Sequence, residues 1–374
     1  MKMWSDMQGA VNAEILAWAE SQPWARHMAA CPQDPQWHAE GDVWTHTRTV
    51  CAELERVEEW PLLDHCSQLK LLFTGLLHDA GKPATTALDP ETGRTRSPNH
   101  SLAGSELARR VLCDLGCDLT MREEIARLVR FHSRPPYLLE KPNPEREVIS
   151  LSWLVSNRLL YLFAVADTRG RQAKEMTRPE EKIHFWKSLA QEHSCFDRPY
   201  GFANDQARFL FYRDKLTSLH YTPHEDYRCA VTLMSGLPGA GKDTWLARYR
   251  SQLPVVSLDA VRDDLDMDPT DNQGEVIQAA RERCREHLRA GLDFAFNATN
   301  ITRQVRRRWI DLFADYGARI EIAYLEPELA TILAHNKRRK NPVPENVILG
   351  LSQKAEPPTV TECHSLACFG SEHS

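Results

Sequence analysis

The chain begins without a signal-peptide-like apolar run. Asp6, Glu14 and Glu20 interrupt the opening MKMWSDMQGAVNAEILAWAESQPWARH, which reads as an ordinary amphipathic helix. No membrane role is expected. The ten cysteines include no CxxC pair, so a disulfide framework is excluded and reduced thiols in a cytoplasmic protein are expected. There is no internal repeat and no low-complexity run. A dominant charge of one sign is also missing. The net charge of −6 and a pI near 6.2 give no global attraction to nucleic acid, so a polyanion would have to be held by local basic clusters.

The chain has 374 residues, 42% of them hydrophobic, which is enough for two ordinary domains. From about residue 10 to 195 the apolar positions recur at three-to-four spacing, as in QLKLLFTGLLHD and EEIARLVRFH, and predict helices. From Cys229 the texture changes. Short β-rich runs (CAVTLMSG, PVVSLD, DFAFNATN, ARIEIAYLE) alternate with helical stretches, the pattern of a parallel α/β sheet. The expected organisation is a helical domain over 1–195, a linker over 196–228 with one helix, an α/β domain over 229–356 and a flexible tail over 357–374 after Pro357-Pro358. Cys363, His364, Cys368 and His373 in that tail would suit zinc only if a fold gathered them, because their spacing fits no finger pattern.

The helical half contains His46 in WTHTRTV, His78-Asp79 in LLHDAGK, His100 in PNHSLAG, His132 in RFHSR and Asp167 in VADTRGR. A helical bundle can bring such side chains to one centre. Imidazole and carboxylate together suit manganese or another transition ion, which would turn a water into a nucleophile. Any one of these histidines alone is more simply a satisfied core or surface residue. The set, in this order and local context, resembles the HD-domain phosphohydrolase superfamily over roughly residues 35 to 195. The resemblance implies that His46, His78, Asp79 and Asp167 ligate a principal metal, and that His100 and His132 match the positions holding a second ion in binuclear members. Lys82, in HDAGK, suits a substrate phosphate. Lys82, Arg169 and Arg171 read equally well as solvated charges.

The second half carries TLMSGLPGAGKDTW: a β-type run, then Gly236, Leu237, Pro238, Gly239, Ala240 and Gly241, then Lys242 opening a helix. Backbone N–H groups of such a loop wrap phosphates, the lysine reaches the outer oxygens and the helix N-terminus adds its positive end. ATP with Mg2+ is the expected cofactor. Where Ser or Thr ordinarily holds the magnesium ion, the chain has Asp243, followed by Thr244. An acidic side chain there can still hold the ion.

VVSLDAVRDD places Asp259 at a strand end and Arg262 three residues on, both able to face the cleft at the carboxyl edge of the sheet. A carboxylate there can take the proton of an acceptor hydroxyl, and the arginine can grip an acceptor phosphate. FAFNATNITRQVRRRW follows, with Arg303, Arg306, Arg307 and Arg308, and then the basic AHNKRRKNPVPENVI in the position of a lid. These motifs resemble the polynucleotide 5′-kinase branch of P-loop phosphotransferases over residues 229 to 352. The resemblance implies that Asp259 is the general base toward a 5′-hydroxyl, that Arg262 contacts the acceptor strand, and that Arg339 or its neighbour Arg338 is the lid arginine. Ala298 stands where relatives can have an acid.

The order of the two halves resembles the bacterial HD-Pnk proteins. That implies a bifunctional enzyme that phosphorylates 5′-hydroxyl ends and removes 2′,3′-cyclic, 2′- or 3′-phosphates from RNA or DNA strands, with a nucleic-acid ligase as a possible partner. Two other readings stand beside it: a small-molecule kinase fused to a nucleotide phosphohydrolase, and a nucleotide-sensing module without turnover.

Overall fold

The structure is a computed structural model that describes residues 2–34, 39, 41–172, 180–268, 271–339 and 341–370. The chain divides into two compact units, Met1–Gly201 and Phe202–Ser374.

The first unit is helical, with only a two-residue ladder of Ala87–Leu88 against Thr95–Arg96 and one isolated bridge among its described residues. After three N-terminal helices (Trp4–Gly9, Asn12–Glu20, Pro23–Ala29) come α1 (Val43–Arg56), α2 (His65–Leu77), α3 (Lys82–Thr85), α4 (His100–Asp114), α5 (Leu119–Phe131) and α6 (Asn157–Arg169). Aspartates start three of them: Asp42, Asp64 and Asp118 accept the N–H of Thr45, Ser67 and Met121, satisfying donors that have no partner within the helix. On α1, Val43, His46, Val50 and Leu54 share one buried stripe, so packing of the apolar residues turns His46 inward. Helix α6 is buried along almost its whole length, Leu159 to Thr168, which makes it the strut on which the others pack. Gly81 lets α3 meet the start of α4. A Cβ there would lie 2.1 Å from the His100 carbonyl oxygen and 2.5 Å from the Gly104 nitrogen.

The second unit opens with α7 (Asp205–Tyr212), whose Phe209 joins its core. Then follow β1 (Cys229–Ser235), α8 (Lys242–Tyr249), β2 (Val255–Ser257), α9 (Leu258–Asp264), α10 (Gly274–Ala290), β3 (Phe294–Asn297), α11 (Arg303–Asp315), β4 (Ala318–Leu325), α12 (Leu329–Lys337) and β5 (Ser365–Phe369). The five strands form a parallel sheet in the order β2-β3-β1-β4-β5. Side-chain alternation splits its core in two. Val231, Leu233, Phe294, Phe296, Ile320 and Ile322 pack with Leu288, Trp309 and Phe313 of α10 and α11. Met234, Ala295, Ala323 and Leu325 pack with Leu246 of α8. Helices therefore cover both faces, as a parallel sheet requires. The loop after β1 leaves the sheet from a central strand, where the connections diverge to either side.

The tail differs from its expected flexibility. Residues Ser365–Phe369 form the edge strand β5, in register from Glu321–Ser365 to Leu325–Phe369. The reason is twofold: β4 would otherwise leave a row of unpaired backbone groups, and Glu362 is held by the buried Arg306. His364 is not poised for zinc. Its Nδ1 accepts the Ile320 N–H and its Nε2 faces Gln206 Oε1 at 2.7 Å. The buried Cys363 donates to Ser365 O, and His373 lies outside the described residues. All ten cysteines are free. Among the described residues, no helix is long and apolar enough to cross a membrane.

Candidate functional sites

Five helices of the first unit converge at their ends. His46 comes from α1, His78 caps the C-terminus of α2 with Asp79 following, His100 begins α4, His132 caps α5, and Asp167 lies near the end of α6. Their ligand atoms form two groups of three, His46/His78/Asp167 and Asp79/His100/His132, with all atoms in a group within 4.8 Å of one another. The division differs from four plus two. Asp79 stands between the groups: Oδ2 is 3.3 Å from His78 Nε2 and 4.0 Å from His46 Nε2, while Oδ1 is 3.6 Å from His100 Nε2 and 4.0 Å from His132 Nε2.

The histidines are oriented by the backbone. Nδ1 of His78, His100 and His132 is 2.8 Å from the carbonyl oxygen of Gly75, Ser97 and Val129 respectively, three residues earlier in each case. A carbonyl can only accept, so each Nδ1 carries the proton and each Nε2 presents a lone pair. His78 Nε2 is buried with no hydrogen-bond partner. An orphaned buried lone pair facing a carboxylate fits a cation and does not fit an empty core. Burial, reinforced by His78 and His100, pulls His132 down to about 3, so its ring is neutral at neutral pH, as a ligand must be.

Two cations balance the carboxylates. Lys82 Nζ lies 2.7 Å from Asp79 Oδ2 and donates to Gln33 Oε1, and Arg171 Nη2 lies 2.6 Å from Asp167 Oδ2. Burial by itself would raise both carboxyls. Lys82 and His78 outweigh it at Asp79, and Arg171 and His46 at Asp167, so both stay well below the ordinary carboxylate range. Arg169 is instead paired with Glu180. Lys82 and Arg171 stand at i+3 and i+4 from their carboxylates, a spacing visible in the sequence. Gln33 had no sequence signal, because only folding brings it near Lys82.

In the second unit, Gly236 to Gly241 join β1 to α8. A Cβ on Gly239, at φ +85°, would lie 2.7 Å from Ile332 O, and one on Gly236 would lie 2.6 Å from Leu325 O, so the loop's close approach depends on glycine. Lys242 donates to the carbonyls of Gly236 and Leu237 at 2.9 and 3.0 Å. Burial pulls its ammonium down to about 8, against the attraction of Asp243 and Asp259. Asp243 Oδ1 accepts from Asn297 Nδ2 at 2.6 Å. Thr244 is exposed.

Asp259 is paired with Arg262 and lies 3.7 Å from Arg339 Nη2. Arg262 is braced by Gln273 Oε1 at 2.6 Å. The Asn336 side chain both accepts the Val343 N–H and donates to Val343 O, which ties the basic segment to its proline turn and so positions Arg339. Arg338 is exposed, so the arginine beside Asp259 is Arg339. One expected surface arginine is not at the surface. Arg306 is fully buried and donates to Glu362, Asn300 O and Glu356 O, while Arg303, Arg307 and Arg308 are exposed. Arg306 lies on the face of α11 that also carries Trp309, Ile310 and Phe313, and α11 buries that face against the sheet. The sequence reading assigned no site role to Asn297, Gln273 or Asn336; amides at the ends of strands and helices carry no motif of their own.

Residues 42–154 match the sequence model of the HD domain, and residues 231–358 match a model described as an AAA domain. The chain therefore has an N-terminal helical HD domain and a C-terminal P-loop kinase-like domain on a five-stranded parallel sheet. The CC-adding tRNA nucleotidyltransferase of Thermus thermophilus is 34% identical over 150 residues, covering 38% of this chain and 32% of that protein. The multifunctional CCA protein of Halorhodospira halophila is 32% identical over 149 residues, covering 38% and 33%. The chain thus spans about a third of the length of these curated relatives. A gluconokinase structure from Sinorhizobium meliloti covers 39% of this chain and 84% of its own, at 14% identity and a TM-score of 0.29.

Proposed function

We propose that this chain, an HD domain joined to a P-loop kinase-like domain, is a bifunctional enzyme that heals broken nucleic-acid ends. In this reading it phosphorylates 5′-hydroxyls with ATP and removes 2′,3′-cyclic, 2′- or 3′-phosphates. The observation that carries the reading is that each unit brings together a site suited to phosphate chemistry: two three-residue ligand groups sharing Asp79 in one, and a phosphate loop with Asp259 beside Arg339 in the other.

In the HD unit, His46, His78, Asp79, His100, His132 and Asp167 would hold one or two divalent ions, manganese or another transition metal. A bound ion supplies Lewis acidity and a nucleophile at neutral pH. Nδ1 of His78, His100 and His132 stays protonated on a backbone carbonyl, so the imidazoles keep their lone pairs inward. Lys82 and Arg171, released from neutralising Asp79 and Asp167, are placed to bind the oxygens of the departing phosphate.

In the kinase unit the loop and Lys242 hold the ATP phosphates, and Mg2+ accompanies them. Lys242 exchanges the carbonyls of Gly236 and Leu237 for phosphate oxygens. Asp259 takes the proton of the acceptor hydroxyl as its oxygen attacks the γ-phosphorus, and Arg339 brings positive charge to the transferring group. Arg262, braced by Gln273, contacts the acceptor strand.

One observation favours a small-molecule acceptor instead. Asp263, Asp264, Asp266, Asp268 and Asp271 are all exposed just beyond Asp259, an acidic border that would repel a strand. Both readings meet one experiment: incubation with ATP, Mg2+ or Mn2+ and an RNA oligonucleotide bearing a 5′-hydroxyl and a 2′,3′-cyclic phosphate. End-healing requires both ends to change, with Asp259→Ala losing only 5′ phosphorylation and Asp79→Ala only 3′-end removal. Unchanged ends with reacting mononucleotides would give the assignment to the small-molecule reading.

A further inference from the structure

We propose that Asp243 and Asn297 together form a divalent-cation site beside the phosphate loop, and that this site makes nucleotide binding conditional on the metal. The inference rests on the kinase reading above and adds a ligand and an ordering to it.

The first observation is the hydrogen bond itself. Asn297, at the end of β3, donates Nδ2 to Asp243 Oδ1 at 2.6 Å. The second is what that bond leaves over. Asn297 is only 6% exposed, and its Oδ1 is buried with no partner. The two ends of an amide have the same shape, so half a turn about its last bond brings Oδ1 to the carboxylate in place of Nδ2. Next to Asp243 this makes a pair of hard oxygen donors, the chemistry that magnesium and manganese take. A carboxylate from the strand is not available, since Ala298 follows Asn297.

Charge supplies the ordering. Around the loop, Lys242, Arg262 and Arg339 face Asp243 and Asp259, three positive against two negative, leaving one net positive charge. With the ordinary Ser or Thr at position 243 there would be two. A fixed negative charge a few ångströms from a polyphosphate, where the effective dielectric is far below that of water, weakens metal-free binding by roughly tenfold or more. A cation between the carboxylate and the phosphates reverses the sign of that interaction. Metal and nucleotide are therefore strongly coupled, and each must strengthen the other by the same factor.

The test is equilibrium binding of ATP to the full chain by calorimetry, in EDTA, in Mg2+ and in Mn2+. It compares wild type with the isosteric Asp243→Asn, with Asp243→Thr and with Asn297→Ala. Metal should strengthen ATP binding by ~100-fold in wild type and by ~10-fold or less in both Asp243 variants, whose metal-free affinity should rise by ~10-fold. Asn297→Ala should leave metal-free affinity within about threefold and still lower the metal enhancement. Titration of Mn2+ by electron paramagnetic resonance with ADP present should show weaker binding in Asp243→Asn and in Asn297→Ala. If wild type and Asp243→Asn, both folded by near-ultraviolet circular dichroism, show the same metal enhancement, the site is refuted while the kinase reading survives. If no form binds ATP under any condition, the kinase reading falls and this inference falls with it.

Discussion

His364 offers a perturbation whose size follows from the structure. The ring is buried between Phe209 and Tyr227, with Nδ1 accepting the Ile320 N–H and Nε2 facing Gln206 Oε1. A backbone N–H can only donate, so the ring is held in the Nε2–H tautomer. Burial, with Arg319 and Arg208 adding to it, pulls its pKa from 6.5 to about 4. The unfolded chain therefore takes up a proton between these values that the folded unit refuses. Stability from this group is complete above pH 6.5 and is lost as the pH falls toward 4. Lowering the pH from 7 to 5, before paired carboxylates titrate, should remove about 2 kcal/mol, at ~1.4 kcal/mol per pH unit within the window. That corresponds to about a twentyfold loss of protection. The assay is amide hydrogen exchange in the intact chain, read at β4 residues Ile320 to Leu325 and corrected for intrinsic rates. His364→Gln keeps an acceptor for Ile320 and a donor for Gln206 but does not titrate, so its protection should change by less than about threefold over the same range. A twentyfold drop that persists in His364→Gln, or no drop in wild type, would refute the assignment.

Further outcomes follow from the same geometry. Asp79→Asn should lower bound metal at both ligand groups, whereas His132→Ala should affect one, as read by elemental analysis after dialysis against manganese. Arg306→Met strands the buried Glu362 carboxylate and should cost the second unit ~3–5 kcal/mol, most of it regained in the double variant with Glu362→Leu; exchange at β5 measures both. Gly81→Ala drives a methyl into the His100 carbonyl and should cost at least ~1–3 kcal/mol, seen as a lower melting temperature of the helical unit. ATP affinity should fall as the pH rises above about 8, where Lys242 is neutral and binding must take up a proton. Calorimetry in buffers of different ionisation enthalpy would detect that proton.

The phosphate loop was legible because its chemistry is local: consecutive N–H groups, glycines that permit close approach and a lysine at a helix start are all specified within one stretch, Gly236 to Lys242. The helical ligands were legible as a set of residue types in order. Their partition between two groups was not, since it depends on where the two oxygens of Asp79 point once α2, α4 and α5 have packed. The arginines of α11 show the converse. Charge and spacing made Arg306 one of a basic surface set, and only the approach of Glu362 from the far end of the chain turned it into a core residue.

The sequence by itself determined the two folds, their order, the phosphate loop and the residue types available to a metal, because periodicity and turn chemistry are properties of neighbouring residues. Tertiary structure alone decided that the last residues become the fifth strand, that Asn297 meets Asp243, that Asn336 positions Arg339 rather than Arg338, and that Asp79 stands between two ligand groups. Each of these joins residues with no local reason to meet. They are brought together by burial of apolar faces and by the demand that every buried polar group find a partner.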